Sequence, residues 1–259
     1  MLSKINILGA GHSESLTRFN SNALLDFEGH SMLIDCGYTI KYALHKQGIQ
    51  MQDIDSCLVT HVHGDHVFGL ERFAFEGRYK YGKKLKLFVT PGVLEVLWQH
   101  TLVGSIGYSS EGLSDINDYF DVEVIDPTTP LIINGSEISL FPTPHTVGKE
   151  SYGLVVDDSL VYTSDTNCLD REFLKEFDLI IHDATTQKGN PAHATLWELL
   201  TEYPPALRQK IILDHIDDDY PDFRELIDGE FLGVTQDGDH ISVQPTHFSW
   251  SGVDVPRRK

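Results

Sequence analysis

The stretch His61-Val62-His63-Gly64-Asp65-His66 puts three imidazoles and one carboxylate into a single short segment, directly after the apolar run Cys57-Leu58-Val59-Thr60. Residues 54–60 read as a strand, so the cluster sits where a strand ends. On extended backbone, side chains two apart point the same way, and His61 and His63 can share one metal ion. Gly64 then turns the chain and displaces Asp65 and His66 toward a second ion. A solvated His-rich loop is the plainer alternative, but the fixed order of donors after a strand points to a metal site. Thiolate-free imidazole and carboxylate donors favour two Zn2+, with Mn2+ or Fe2+ as the other candidates.

The chain has 259 residues, 41% hydrophobic and 23% charged, which fits one large α/β domain or two small ones with an ample core. Cys36, Cys57 and Cys168 are scattered, odd in number and set in or beside apolar runs, a usage that fits a reducing compartment. The chain opens on no basic segment leading into an apolar stretch, and no run approaches a membrane span, so a cytoplasmic location is expected. With 20 basic against 39 acidic residues the formal charge is −19. Extended nucleic-acid binding draws its affinity from Lys and Arg on phosphates and is disfavoured. The basic residues at 78–86 and in the tail Arg257-Arg258-Lys259 read as solvated surface. A small anionic substrate remains compatible, because bound divalent ions reverse the local field.

Strands are expected at residues 4–8, 23–27, 31–35, 54–60, 84–89, 122–125, 131–133, 137–142, 153–156, 159–163, 179–182, 211–213 and 241–243. Helices are expected at 38–47, stopping at Gly48, then from 69, at 91–100 with Pro91 in the first turn, at 170–176 and at 195–202. Residues 101–118, rich in Gly and Ser, read as an excursion or loop. No linker, repeat or low-complexity segment divides the sequence. Strands dominate both halves and end in His or Asp. The expected fold class is α/β, an αββα four-layer sandwich forming a single domain over residues 1–259.

A two-metal site needs further donors, and they recur at strand ends: His145 in Phe141-Pro142-Thr143-Pro144-His145, Asp165 in Tyr162-Thr163-Ser164-Asp165-Thr166, and His215 in Leu213-Asp214-His215. Over residues 4–220 the chain thereby resembles the metallo-β-lactamase fold superfamily, with motifs at Asp35, residues 61–66, His145, Asp165 and His215. The resemblance implies that His61, His63 and His145 hold one metal and that Asp65, His66 and His215 hold the other, with Asp165 bridging. Plainer alternatives are a turn residue for His145, a helix cap for Asp165 and a solvated side chain for His215. Asp35 reads as a residue that orients the cluster through hydrogen bonds rather than as a ligand.

The stretch Arg18-Phe19-Asn20-Ser21 and the motifs His182-Asp183-Ala184-Thr185 and His193-Ala194-Thr195 are similar to those of the ribonuclease Z group, with Asp183 in place of that group's Glu. The resemblance implies a catalytic His193 beside the leaving group, whereas His182 reads as structural; His193 could instead merely precede the helix at 195–202. Transfer-RNA-processing members carry a long arm between the positions of His145 and Asp165, whereas only residues 146–164 lie between them here. Together with the acidic charge, this disfavours precursor-tRNA cleavage. The chain is similar to the armless cyclic-nucleotide phosphodiesterases of the anti-Pycsar type, viral and bacterial enzymes that degrade 3′,5′-cyclic mononucleotides. That resemblance also implies a homodimer.

Two bound ions can generate a nucleophile at neutral pH and clamp a phosphodiester. Asp65 can accept or orient the proton of the attacking water, and His193 can protonate the departing ribose oxygen. The expected function is hydrolysis of small phosphodiesters, 3′,5′-cyclic mononucleotides first, to nucleoside monophosphates. The alternatives are a ribonuclease Z-like endonuclease, a 2′,3′-cyclic phosphodiesterase or a metal-bound nucleotide-binding scaffold. Thioesterases of the glyoxalase II type share the His cluster but usually add a C-terminal helical domain, for which the residues after His215 leave little room. Phe68, Tyr108 and Trp98 could stack on a base, although isolated aromatics are more often core.

Overall fold

Successive side chains of a strand face opposite sides of its sheet, and this chain buries both sides. Leu25, Met32, Ile34, Leu58 and Phe88 face a central apolar layer, while their neighbours Leu24, Leu33, Cys57 and Leu87 face a second one. The computed structural model describes residues 1–258; Lys259, the last residue of the basic tail, lies outside them.

The first sheet has nine strands, in the order Val253–Pro256, His247–Trp250, His240–Val243, Lys4–Gly9, Asn22–Asp26, Ser31–Ile34, Ser56–Leu58, Leu85–Val89 and Phe120–Val124. The second has seven: Gly233–Val234, Ile211–Asp214, Leu179–Asp183, Leu160–Tyr162, Tyr152–Val156, Ser136–Pro142 and Leu131–Ile133. Ile138, Leu154, Leu160, Ile181 and Ile212 of the second sheet complete the central layer. Outside the first sheet lie the helices Ile40–Gln47, Leu70–Glu76 and Pro91–Leu97, which contribute Leu44, Phe73 and Leu97. Outside the second lie Arg171–Leu174, Leu196–Glu202 and Pro205–Arg208, which contribute Leu174, Leu199 and Leu207. The result is the expected αββα sandwich, with three apolar layers between four layers of secondary structure.

Parallel pairing decides where the chemistry sits. Ser31–Ile34 runs parallel to Ser56–Leu58, and Leu160–Tyr162, Leu179–Asp183 and Ile211–Asp214 run parallel to one another. Their C-terminal ends therefore lie on common edges, the crevice that open α/β sheets offer to ligands. Asp35, His61, Asp165, Asp183 and His215 all sit at or just beyond those ends.

The expected hairpin forms from Asn22–Asp26 and Ser31–Ile34, and Gly48 closes its helix in the left-handed region at φ 71°. Three expectations are corrected. The strand at 54–60 shortens to Ser56–Leu58, because the Thr60 amide leaves the ladder and donates to Asp35 Oδ1 (2.8 Å). Residues 101–106 are helical rather than loop: the helix from Pro91 continues through Trp98–Leu102 into Val103–Ile106, drawn on by the buried side chains Leu102 and Ile106. A small hairpin, Tyr108–Ser109 and Gly112–Leu113, follows. The tail carries three strands rather than one, because Phe248, Trp250 and Val255 close the central layer. Cys36, Cys57 and Cys168 are free thiols. Among the described residues, no helix is long and apolar enough to cross a membrane.

Phe248 is 0% exposed between the sheets. Replacing it with Ala is expected to cost about 3–5 kcal/mol, read as a lower denaturant midpoint with an unchanged slope. A cost below about 1 kcal/mol would show that the tail strands do not seal the core.

Candidate metal centre

All seven candidate ligands converge, in two groups that share Asp165: His61, His63, His145 and Asp165, and Asp65, His66, Asp165 and His215. In the first group His63 Nδ1 lies 3.1 Å from His61 Nε2 and 3.0 Å from His145 Nε2. Asp165 Oδ2 is 3.5 Å from both of those Nε2 atoms. In the second group, Asp165 Oδ1 is 3.2 Å from His66 Nε2 and 3.5 Å from His215 Nε2. Asp65 Oδ2 is 3.3 Å from each of the same two nitrogens. The two oxygens of Asp165 thus face different groups, an arrangement that would let this carboxylate serve both.

The outward hydrogen bonds fix which nitrogen of each ring faces inward. The Thr60 hydroxyl donates to Asp35 Oδ2 (2.7 Å), so its oxygen accepts from His61 Nδ1 (3.0 Å). His66 Nδ1 donates to the same Asp35 Oδ2 (2.8 Å), and His145 Nδ1 donates to the Ala192 carbonyl (2.9 Å). His215 Nδ1 lies 3.4 Å from Asp183 Oδ1. Each of these four rings turns Nε2 toward the centre. His63 is the exception and presents Nδ1, with Nε2 3.5 Å from the Thr146 hydroxyl. Asp35 orients the cluster as expected, and it does so from a left-handed backbone at φ 61°.

The donor set fits divalent ions. Around a tetrahedral ion with metal–nitrogen bonds of about 2.0–2.1 Å, neighbouring donors stand about 3.3 Å apart, the spacing seen in both groups. His66 Nε2 and Asp165 Oδ1 are buried without a hydrogen-bond partner, as two lone pairs turned toward one point would be. Burial works to raise the Asp165 carboxyl, but His215, His66 and the bonds from His61 hold it well below the usual range. Burial would likewise lower His66, but Asp165, Asp65 and Asp35 raise it well above its ordinary value. His63 falls to about 4 through burial and the neighbouring His61 and His145, so it is a neutral ring ready to coordinate. Buried charges of this density need a compensating cation, which divalent ions held by the two groups would supply.

His193 stands at the lip. Its ring stacks on His215 at 4.9 Å and lies 4.9 Å from the ring of His145, and its Nδ1 donates to Asp183 Oδ2 (2.7 Å). Burial pulls the His193 pKa down, but Asp183 raises it overall. His182 is buried and bonded to the Tyr203 hydroxyl (3.0 Å), consistent with a structural part. The Ser21 hydroxyl donates to Asp214 Oδ2 (2.6 Å), beside His215, so the Arg18-Phe19-Asn20-Ser21 stretch props the second ligand group.

Two neighbours escape the sequence reading. Asp183 lies between His193 and His215 and reaches both; the His182-Asp183 motif was the available signal. His12, on the loop after the first strand, has its ring 6.2 Å from that of His215 and had no signal. Of the aromatics, Trp98 is buried in the core and cannot stack on a ligand, whereas Phe68 and Tyr108 are 58% and 72% exposed.

Known proteins resemble this chain in sequence and in fold. A family model described as Anti-Pycsar protein Apyc1 matches residues 3–241. The chain belongs to the Apyc1 family. The Anti-Pycsar protein Apyc1 of Paenibacillus xerothermodurans is 38% identical over 226 residues, 85% of this chain and 90% of that protein. The Apyc1 of Bacillus phage 010DV004 is 32% identical over 237 residues, 85% and 91% of the two chains. Among solved structures, the metallo-β-lactamase fold protein YhfI from Bacillus subtilis superposes with a TM-score of 0.72 at 16% identity, covering 93% of this chain and 99% of YhfI. The likeness shows the metallo-β-lactamase fold for this Apyc1-family chain.

Asp35→Asn is expected to lower divalent-metal affinity about 10–100-fold, measured by competition with a chromophoric chelator. An unchanged affinity would mean that Asp35 does not orient His66 and Thr60.

Proposed function

We propose that this chain is a binuclear metal-dependent phosphodiesterase that hydrolyses 3′,5′-cyclic mononucleotides to nucleoside monophosphates. The observation that carries the reading is the pair of ligand groups sharing Asp165, with His193 at their lip. The name borne by its relatives, anti-Pycsar, supports a role against cyclic-nucleotide signalling, and the phage relative supports action in the cytoplasm of an infected host. The charge of −19 and the short segment 146–164, occupied by a turn and two strands, speak against an extended RNA substrate. We further propose one hydrolase domain over residues 1–259 that acts as a homodimer. The exposed Tyr108 and Leu113 on the small hairpin offer a surface for the second copy.

His61, His63, His145 and Asp165 would hold one ion, and Asp65, His66, Asp165 and His215 the other, zinc first and manganese or iron next. When bound, such a pair supplies a nucleophile at neutral pH and positive charge for the phosphoryl oxygens. Asp65 accepts or orients the proton of the attacking water. His193 donates its proton from Nε2 to the departing ribose oxygen, because Nδ1 is committed to Asp183. Asp183 holds that ring in place and supports the imidazolium.

Metal-loaded protein is expected to turn over 3′,5′-cyclic mononucleotides from a panel that also holds 2′,3′-cyclic nucleotides, bis(p-nitrophenyl) phosphate and a precursor tRNA. Turnover of the tRNA alone would overturn the reading. His193→Ala is expected to lower kcat about 10²–10⁴-fold with metal content retained; an unchanged rate would remove His193 from the chemistry.

A further inference from the structure

Beside the centre lies a cleft of about 100 Å³, with His193 and His215 as the wall it shares with the second ligand group and His12, Glu14, Gln187 and Asn190 among the remainder. Every side chain that lines it is polar. No Phe, Tyr or Trp offers a base the stacking platform that single nucleotides usually receive. A cleft of this lining suits a group that carries hydroxyls.

His12 is presented to this cleft in one defined form. The Glu14 amide donates to His12 Nδ1 (3.1 Å), so the ring proton is on Nε2. That Nε2 lies 3.5 Å from Asp217 Oδ1 and makes no hydrogen bond among the described residues. Asp217 is held from the other side: the Thr185 hydroxyl and the Thr186 amide donate to Oδ2 (2.7 Å each), and Gln187 Nε2 donates to Oδ1 (2.8 Å). The His12 side chain is 15% exposed, and this long contact with Asp217 leaves its Nε2–H able to turn to a closer acceptor at the cleft wall. Its loop is braced. The Gly11 amide donates to the Phe19 carbonyl and the Ser21 amide to the Gly11 carbonyl (2.8 Å each). Asp218, three residues after His215, accepts from the Leu16 and Thr17 amides (2.7 and 3.1 Å). A donor on a braced loop can specify a substrate hydroxyl without reorganising.

We propose that this cleft receives the sugar of the substrate and that His12 Nε2–H donates to the 2′-hydroxyl of a 3′,5′-cyclic ribonucleotide, making His12 a specificity-determining residue. The proposal rests on the cyclic-nucleotide reading above. When the 3′-oxygen departs beside His193, the hydroxyl on the adjacent ribose carbon is its cis neighbour and falls toward His12. Departure of the 5′-oxygen would leave no hydroxyl on the adjacent carbon, so the proposal also fixes the product as a 5′-monophosphate.

The test compares kcat/KM for 3′,5′-cyclic AMP and its 2′-deoxy analogue in wild type, His12→Ala and His12→Gln, all metal-loaded. Wild type is expected to prefer the ribonucleotide by about tenfold, the worth of one hydrogen bond. His12→Ala should bring the ratio close to one, mainly through a higher KM for the ribonucleotide, and His12→Gln, which keeps a donor, should retain part of the preference. Loss of folded protein lowers both rates alike, so the ratio still reads His12. An equal ratio in wild type and His12→Ala, or a 3′-monophosphate product, overturns the proposal. If wild type cleaves bis(p-nitrophenyl) phosphate but neither cyclic nucleotide, the underlying reading falls and the sugar site with it.

Discussion

Four carboxylates, Asp35, Asp65, Asp165 and Asp183, are buried around the five imidazoles of the two ligand groups, and the rest of the structure answers to that concentration of charge. An isolated buried carboxylate costs several kcal/mol, so each must meet positive charge or well-aimed donors. Asp35 meets the Thr60 amide and hydroxyl together with His66. Asp183 meets the Thr166 amide and His193. Asp65 and Asp165 meet mainly imidazoles, which is the arrangement that gains most from a bound cation.

The backbone is bent to serve this centre. Asp35, Ser164 and His215 have φ of 61°, 51° and 56°. Left-handed backbone costs an ordinary L-residue about 1–2 kcal/mol. Each of the three stands within two residues of the end of a strand whose parallel partner supplies another part of the site. The turn lifts a side chain off the sheet edge and into the crevice. Network bonds hold two of these turns: Asp35 through Thr60 and His66, and His215 through Asp183 together with the Ser21–Asp214 pair behind it.

Much of this was legible in the sequence because it is local. Continuous apolar runs on either side of Glu28-Gly29-His30 mark the hairpin at residues 22–34, and His or Asp follows the apolar runs that end in the strands at 56–58, 160–162 and 211–214. The seven converging residues follow from that rule and the family resemblance. What stayed hidden depends on partners distant in the chain. The inward turn of Nδ1 in His63 goes with an Nε2 that faces Thr146, far along the chain. The double reach of Asp183 comes from the register that pairs it with Asp214. The helical course of residues 101–106 is decided by a buried Leu102 and Ile106 rather than by the Gly and Ser around them. The tail strands are short, and only their place over the central layer explains Phe248 and Trp250.

The two ligand groups draw on both sheets: residues 61–66 leave the first, while His145, Asp165 and His215 leave the second. Contacts between segments so far apart in sequence form late, after most loop-closure entropy has been lost. A cation held between them would therefore bind only chains whose sheets have already docked, and it would act as a latch across the sandwich. Its effect would fall chiefly on how slowly the folded protein opens, since the sheets could not part before the ion was released. In the cell, that would make the lifetime of this protein depend on the supply of metal.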